Sequence, residues 1–184
     1  MSVTSIMSAT SIPAWQGALL ALLMFLPGVV HADTRKEDSI KAGFIFNFAK
    51  YVEWPAKTVK DGKLRVCSQS SEPLSGNLAK LQDRVIQERV IQVYTSVAPD
   101  EWHNCHVLFI SADEPQRVER VLRAVAKAPV LTVSDSDDFT NSGGMIGLEL
   151  HIERIRFNIN QGAAHKAGLI ISSQLLKLAY EVLP

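Results

Sequence analysis

Apolar residues recur at helical spacing where the chain first carries charged residues. They occupy positions i, i+4, i+7 and i+8, which form one face of an α-helix: Phe44, Phe48, Tyr51 and Val52. Asp38 or Ser39 can cap the start of this helix through a side-chain oxygen. Pro55 ends it, because proline lacks an N–H and keeps the preceding Trp54 out of the α region. The pattern predicts an aromatic helix laid on a sheet, with the alternative that its Trp-Pro end is exposed for docking.

The middle of the chain alternates between short apolar runs and helical stripes. Four runs have the alternating, continuous or β-branched character of strands, at residues 64–67, 90–94, 107–110 and 130–133. The spacing of apolar residues predicts two helices. The first follows a cap at Ser71 and has a face formed by Leu74, Leu78, Leu81 and Val85. The second starts at residues 113–115 and has a face formed by Val118, Val121, Leu122 and Val125. This order of elements implies crossover helices over a largely parallel sheet.

The hydrophobic period changes to two after a polar loop at residues 135–144. Residues 146–152 and 155–159 alternate and are joined by a short connection, which predicts a β-hairpin. A short helix at residues 161–166 should end at Gly168. A last helix should follow a cap at Ser172 or Ser173, with a face formed by Leu175, Leu176, Leu178, Ala179 and Val182. We expect an α/β fold: a single domain with a mixed, mostly parallel sheet flanked by helices on both faces, and a C-terminal β-hairpin and helix.

The N-terminus has the pattern of a secretory signal peptide. Residues 1–32 contain no Lys, Arg, Asp or Glu, and their apolar run ends before a small-x-small site at Val30-His31-Ala32. The run is shorter than the ~20 residues that span a bilayer, although an uncleaved anchor is the alternative. We predict a signal peptide at residues 1–32, cut after Ala32, and a mature exported domain at residues 33–184. The chain has 19 basic and 19 acidic residues, which gives no sign of a nucleic-acid partner.

The two cysteines of the chain, Cys67 and Cys105, both lie in the predicted mature part. An even number of cysteines in an exported protein suggests a disulfide. Closing this loop would stabilise the fold by roughly 4 kcal/mol in the chain-entropy model. Two buried free thiols are the alternative.

Two groups of residues have side chains that bind metals in other proteins. His103, Cys105 and His106, with Cys67, would suit copper or zinc, but a disulfide would leave no thiolate. Asp135, Asp137 and Asp138 place carboxylate oxygens at nearly alternate positions, as a calcium-binding loop does, but the Gly and the terminal Glu of such a loop are missing from the sequence here. Polar loop residues explain both groups better, so no metal site is predicted.

Motifs for catalysis are missing from the sequence. His165 does not form a recognisable triad with Ser172 or Ser173, and no nucleophile elbow, metalloprotease motif or P-loop occurs. Ser142-Gly143-Gly144 could cradle a phosphate, but a strand follows it rather than a helix, so a tight turn is favoured. The sequence predicts neither an enzyme nor a cofactor.

The predicted hairpin carries a polar face. Glu149, His151 and Glu153 share one side of its first strand, and Arg156, Asn158 and Asn160 share one side of its second. This face could be solvated, covered by a helix, or used for recognition. Arginine favours the last use, because its planar guanidinium pairs with partner groups in a bidentate way.

Several motifs in a fixed order carry a family resemblance. They are Lys-Ala-x-x-Ile-x-Asn-Phe-Ala-Lys-Tyr-x-x-Trp-Pro at residues 41–55, the two cysteines, Gly-Gly-Met at 143–145, Ile-Arg-Phe-x-Ile-Asn at 155–160, and Ala-Gly-Leu-x-Ile-Ser-Ser-Gln-Leu-Leu-Lys-Leu-Ala at 167–179. Together with the signal peptide, this set resembles the YfiR family of periplasmic proteins over nearly all of residues 33–184.

The resemblance implies a non-enzymatic repressor. It implies binding to the periplasmic domain of a YfiN-like inner-membrane diguanylate cyclase, release by a YfiB-like outer-membrane lipoprotein, and a homodimer. It also implies a disulfide between Cys67 and Cys105. A second disulfide of the family is absent, because Thr140 and Gly147 stand at the matching positions. This departure puts in doubt any redox control through that second bond, and suggests a more mobile loop at residues 135–144.

The residues expected to contact a partner are apolar or arginine side chains near the loop and hairpin, since interface hot spots favour aromatics and Arg. They are Phe139, Met145, Ile152, Arg156, Asn158 and Gln174. The rival hypothesis is a periplasmic small-molecule-binding sensor. Its ligand would lie beside the strand ends near residues 68–71, Ser111 and Ser134, where parallel sheets bind ligands.

Overall fold

Strands and helices alternate along the chain for most of its length. The structure, a computed structural model, describes residues 31–59, 61–69, 73–111 and 115–184. The helices are α1 (His31–Lys50), α2 (Pro73–Ala79), α3 (Pro115–Val125), α4 (Gln161–Lys166) and α5 (Ser173–Leu176), with a 3₁₀ helix at Pro99–Asn104. The strands are β1 (Val52–Glu53), β2 (Lys63–Ser68), β3 (Val85–Ile86), β4 (Arg89–Tyr94), β5 (Val107–Ile110), β6 (Leu131–Ser134), β7 (Ile146–His151), β8 (Arg154–Asn160), β9 (Ile170–Ile171) and β10 (Glu181–Leu183).

Eight of these strands form one mixed sheet in the order β10-β8-β7-β6-β5-β2-β4-β3. The central pairs β4-β2, β2-β5, β5-β6 and β6-β7 are parallel, and so is the pair β10-β8 at the edge. Only β7-β8 and β3-β4 are antiparallel, because each is a hairpin. β1 and β9 form a separate antiparallel pair. The predicted α/β fold with a mostly parallel sheet is confirmed.

Two hydrophobic clusters cover the two faces of the sheet. On one face, Ile45 and Phe48 of α1 pack with Leu78 of α2 against side chains from β2, β5, β6, β7 and β8. On the other face, Val121 of α3 and Trp102 of the 3₁₀ helix pack against Leu108 and Ile110 of β5. Each large apolar side chain that is fully buried in this way contributes about 1.5–3 kcal/mol relative to an exposed one. The predicted helices on both faces are therefore present.

The first helix is longer than the sequence indicated. It begins at His31 and continues past Asp38 and Ser39, so the predicted cap at either residue is wrong. Lys41 pairs with Glu37 one turn earlier, and such i,i+4 pairs favour the helical state on both sides of the predicted cap. At the other end, Trp54 is buried and its indole N–H donates to the His106 carbonyl at 3.1 Å. The alternative of an exposed Trp-Pro end is therefore wrong for Trp54, whereas Pro55 is exposed.

Two predicted helices are shorter than their apolar spacing suggested. Val85 lies in β3 and is exposed, because α2 ends at Ala79 and the chain turns before the β3-β4 hairpin. The last helix is only α5, which is capped as predicted by Ser172. After α5 the chain runs to the sheet edge, where the Tyr180 N–H donates to the Phe157 carbonyl and Val182 lies in β10 beside β8. In both places pairing with a neighbouring strand overrides helical spacing.

The hairpin turn also lies one residue away from the expected one. His151 pairs with Arg154, so Ile152 and Glu153 are the central residues, with φ of 43° and 60°. Two successive positive φ values are typical of the type I′ turn, whose twist matches that of the flanking strands.

Some predictions fall outside the described residues. They concern residues 1–30 of the predicted signal peptide, the predicted cap at Ser71, and residues 113–114 at the predicted start of α3. From Asp33 onward the chain forms one unit of the structure. None of the helices in the described ranges combines the length and hydrophobicity of a membrane span.

Candidate partner-binding surface

Large apolar side chains are exposed together at one end of the sheet. We call this set the C-terminal apolar surface; it comprises the exposed residues Ile40, Leu150, Ile152, Leu178, Tyr180 and Val182, with the half-buried Phe44 and Ile155 beside them. The most exposed members are Ile152 at 82%, Leu178 at 68%, Tyr180 at 66% and Leu150 at 60%. Contiguous exposed apolar patches of this kind mark interaction sites more often than scattered ones do.

A groove of about 510 Å³ forms the centre of this surface. Phe44 of α1 forms one wall, and Leu178 and Tyr180 of the C-terminal segment form the other. Its floor is β8, where the Phe157 ring lies 5.8 Å from the Phe44 ring. The groove lies where the chain leaves α5 after Leu176 and runs to β10 at the sheet edge, and Phe44 within α1 is half-buried there.

Arg156 connects the groove to the hairpin turn. It lines the groove and also a second cavity, of about 440 Å³, beside Ile152. Its guanidinium lies 4.7 Å from the centre of the Tyr180 ring, which is a cation–π contact. The cross-strand neighbour of Arg156 is Glu149, which accepts a 2.7 Å hydrogen bond from Asn158 Nδ2. The surface therefore combines apolar area with one held cation, as interface hot spots do.

The structure places three of the six predicted contact residues at the surface of the protein. Ile152 and Arg156 belong to the region just described, and Gln174 is exposed on α5.

The premise of exposure is wrong for the other three: Phe139, Met145 and Asn158 are buried, with 2%, 5% and 7% of their surfaces exposed. Phe139 turns inward from its loop and fills the cluster under α3, where a Cβ on Gly144 would collide with its ring. The Met145 side chain lies in the core under α1, and its N–H donates to Thr132 Oγ1. These residues support the fold, and they are not carried into the proposal below.

Sequence reasoning missed the contribution of the C-terminal segment. The apolar spacing predicts that Leu178 and Val182 lie on the apolar face of a helix, and it does not predict that they are exposed. The signal was the run Tyr180-Glu181-Val182-Leu183, which is short and rich in strand-forming residues. Asn160, expected on the polar face, instead caps α4 by accepting from the Ala163 N–H and donates to the Thr140 carbonyl.

The predicted disulfide is present. Cys67 at the end of β2 and Cys105 after the 3₁₀ helix are bonded, with Cα atoms 5.9 Å apart. The bond ties the 3₁₀ helix to the sheet. Since Cys105 is oxidised, it has no thiolate for the copper or zinc site that was considered for His103 and His106.

His106 has a structural environment instead. Its Nδ1 accepts from the Arg65 N–H at 2.9 Å, and its Nε2 lies 3.2 Å from the Thr58 carbonyl. These contacts fix the neutral tautomer with the proton on Nε2. Burial lowers the pKa of His106, and this effect outweighs the hydrogen bond to Thr58 that favours the charged form.

The acidic loop after β6 is not simply solvated, as had been expected. Asp137 and Asp138 are exposed, but Asp135 is half-buried and accepts from Lys41 Nζ at 2.6 Å. Lys41 also pairs with Glu37 at 2.8 Å. Burial favours the neutral amine, but the hydrogen bonds to Asp135 and Glu37 outweigh it and raise the pKa of Lys41. Among the described residues no cluster of acidic, His or Cys side chains is suited to hold a metal ion.

The positions of the missing second disulfide are neighbours in space. A Cβ on Gly147 would lie 3.6 Å from Thr140 Cγ2. The nearby Ser142-Gly143-Gly144 segment forms a turn into β7, with Gly143 at a φ of 96°. The preference for a turn over a phosphate cradle agrees with this geometry.

Comparison with known proteins adds a family and a fold. The sequence profile of the YfiR/HmsC-like family matches residues 38–180. Among solved structures, a conserved domain protein from Vibrio cholerae matches with a TM-score of 0.53 at 12% identity, and the ABC domain in complex with L-Trp from Streptococcus pneumoniae matches with 0.51 at 11%. Each match covers 79% of this chain and 60% of the other. At this identity the two structures support the fold alone.

Proposed function

The chain belongs to the YfiR/HmsC-like family, and from this premise we propose that it represses a membrane diguanylate cyclase by binding the periplasmic sensor domain of that enzyme. Binding would lower cyclic-di-GMP signalling and with it biofilm formation. The protein acts as a stoichiometric regulator rather than as an enzyme. The disulfide supports a periplasmic location, because such bonds persist in oxidising compartments.

The observation that carries this proposal is the C-terminal apolar surface. Leu178, Tyr180 and Ile152 expose apolar area that a protein of this size normally buries. Arg156 is held against Tyr180 at the centre of that area. We propose that the sensor domain of the cyclase covers this surface.

Repression requires that the regulator prefer one state of the cyclase. A binder shifts a conformational equilibrium only by its differential affinity for the two states. To move a cyclase from mostly active to mostly inactive, the regulator must bind the inactive state about 10⁴-fold more tightly. A YfiB-like lipoprotein would restore activity by competing for the regulator, and a homodimer of this chain would match a dimeric cyclase.

Substitutions on the surface test this proposal. Ile152→Glu and Arg156→Glu should each weaken repression of the cyclase, measured as cyclic-di-GMP at equal levels of folded protein. Losing a hot-spot contact costs at least about 1.4 kcal/mol, or tenfold in affinity. Val85→Glu is the matched control, since Val85 is 61% exposed at the opposite edge of the sheet. If both test variants repress as well as the control, the surface is not the binding site.

A second candidate function is small-molecule sensing for another membrane signalling enzyme. The predicted ligand site at the strand ends is not supported, because Ser111 and Ser134 are buried. A cavity does lie nearby, against the disulfide, and it carries the inference that follows.

A further inference from the structure

Among the described residues, no α-helix lies over one face of β2 and β4. Leu64 and Val66 of β2 face α1, so the alternate residues Arg65 and Cys67 face the other side. There α3 lies in one cluster with Leu108 and Ile110 of β5, to which β2 contributes Cys67. Sheets of this class usually have both faces covered, but here the described residues that line this face beside β2 come from the 3₁₀ helix and the segment after β4.

The uncovered stretch forms a cavity of about 550 Å³. The disulfide forms part of its wall, together with Val97 and Ala98. The remaining lining residues are polar or aromatic: Arg65, Tyr94, Thr95, Glu101 and Asn104. Its volume lies within the ~300–1,000 Å³ of small-molecule sites, which are mostly apolar with a few polar groups.

Arg65 is the cation of the cavity lining; it is ion-paired with Asp61, and the lining also holds the carboxylate of Glu101. Its guanidinium donates from Nη2 to Asp61, which lies outside the cavity lining, and a guanidinium has five N–H donors. The one acidic residue of the lining, Glu101, accepts a hydrogen bond from Asn104 at 3.0 Å. A ligand in the cavity therefore meets an apolar wall and a cation whose fork suits a carboxylate, sulfonate or phosphate group.

We propose that this cavity binds a small organic anion, with its apolar body against the Cys67–Cys105 disulfide and its charged group at Arg65. Cys67 and Cys105 are already buried, with 2% and 4% of their surfaces exposed, and the occupant would cover the part that still faces the cavity. Thiol attack on a disulfide requires access to a sulfur, so the bound anion would slow reduction of the bond. The site is separate from the C-terminal apolar surface and does not depend on the proposed repressor function.

The first test uses 8-anilinonaphthalene-1-sulfonate, an aromatic sulfonate that fluoresces when bound in apolar sites. The folded mature protein should bind it saturably, with a Kd below about 1 mM. Ala98→Trp, which fills the cavity, should abolish this binding. Arg65→Gln should weaken it about tenfold, because a charge-assisted hydrogen bond is lost. Ala124→Trp and Arg123→Gln on the exposed side of α3 should change nothing.

The outcomes of this titration are distinct. Absent binding, or binding that survives Ala98→Trp, would overturn the proposal, since the probe would then lie elsewhere, for instance in the groove at Tyr180. Circular dichroism of each variant checks that the fold is retained.

The second test measures access to the disulfide directly. Dithiothreitol reduction of Cys67–Cys105, followed by mass spectrometry after alkylation, should slow several-fold in saturating probe, in proportion to occupancy. The Ala98→Trp protein should show no effect of probe. Equal reduction rates with and without probe in the wild-type protein would contradict the assigned position of the ligand.

Discussion

Replacing Lys41 by Met should destabilise the fold by about 2–3 kcal/mol. The Lys41 side chain is 11% exposed and its ammonium is the partner of Asp135 Oδ2 at 2.6 Å. The other oxygen, Oδ1, is buried and has no hydrogen-bond partner among the described residues. Methionine keeps the apolar stem but leaves the carboxylate unpaired. Breaking a fully buried pair costs about 3–5 kcal/mol, and the 23% exposure of Asp135 lowers the expected figure.

Urea unfolding of the mature protein measures this cost. With a slope of about 2 kcal/mol/M, the midpoint should fall by about 1 M. Lys36→Met, at an exposed position of the same helix, should stay within about 0.5 kcal/mol of wild type. Lys41→Met combined with Asp135→Leu should recover most of the loss, because the carboxylate of Asp135 is then gone and Glu37, the other partner of Lys41, is 28% exposed to water. A Lys41→Met protein as stable as wild type, or a double variant as unstable as the single one, would refute this reasoning.

Three further predictions concern the disulfide, the buried histidine and the missing second bond. Cys67→Ala with Cys105→Ala should lower the free energy of unfolding by roughly 4 kcal/mol, the loop-closure value for a separation of 38 residues; a loss below 1 kcal/mol in urea would contradict it. Because the pKa of His106 is lowered in the fold, the folded state binds a proton more weakly than the unfolded one. Stability should therefore fall as pH drops below about 6.5, and His106→Asn should flatten this slope in unfolding titrations. Thr140→Cys with Gly147→Cys should form a second disulfide without disturbing the fold, detected as the loss of two free thiols.

The sequence was most informative where one face of an element is buried. The continuous apolar run of β5 and the stripe of α3 predicted a strand buried on both sides and an amphipathic helix, and both are present. The period-two pattern of β7 and β8 likewise predicted the hairpin. Burial imposes a period on these residues, so the period can be read back from the sequence.

The candidate surface was predicted only in part, because exposure depends on what covers a residue. The sequence predicts Phe139 and Met145 as partner contacts at the surface, but their loop folds inward and buries both side chains. Leu178 and Val182 were taken as core, yet the chain leaves α5 to pair with β8. Pairing with a distant strand decides whether such residues are buried, and the local spacing of apolar residues gives no information about that pairing. Of the predicted contact residues, Ile152 and Arg156 lie on this surface, and both belong to the hairpin, whose geometry is local.

Co-purification with the cyclase tests the central claim most directly. Tagged mature protein, and the same protein with Leu178→Glu and Tyr180→Glu, would be used to capture partners from envelope membranes, with identification by mass spectrometry. We predict that a membrane protein with a GGDEF domain is recovered with the wild-type protein and is depleted at least about tenfold with the double variant. Recovery of a histidine kinase or transporter without any cyclase, or equal recovery of the cyclase by both proteins, would contradict the account.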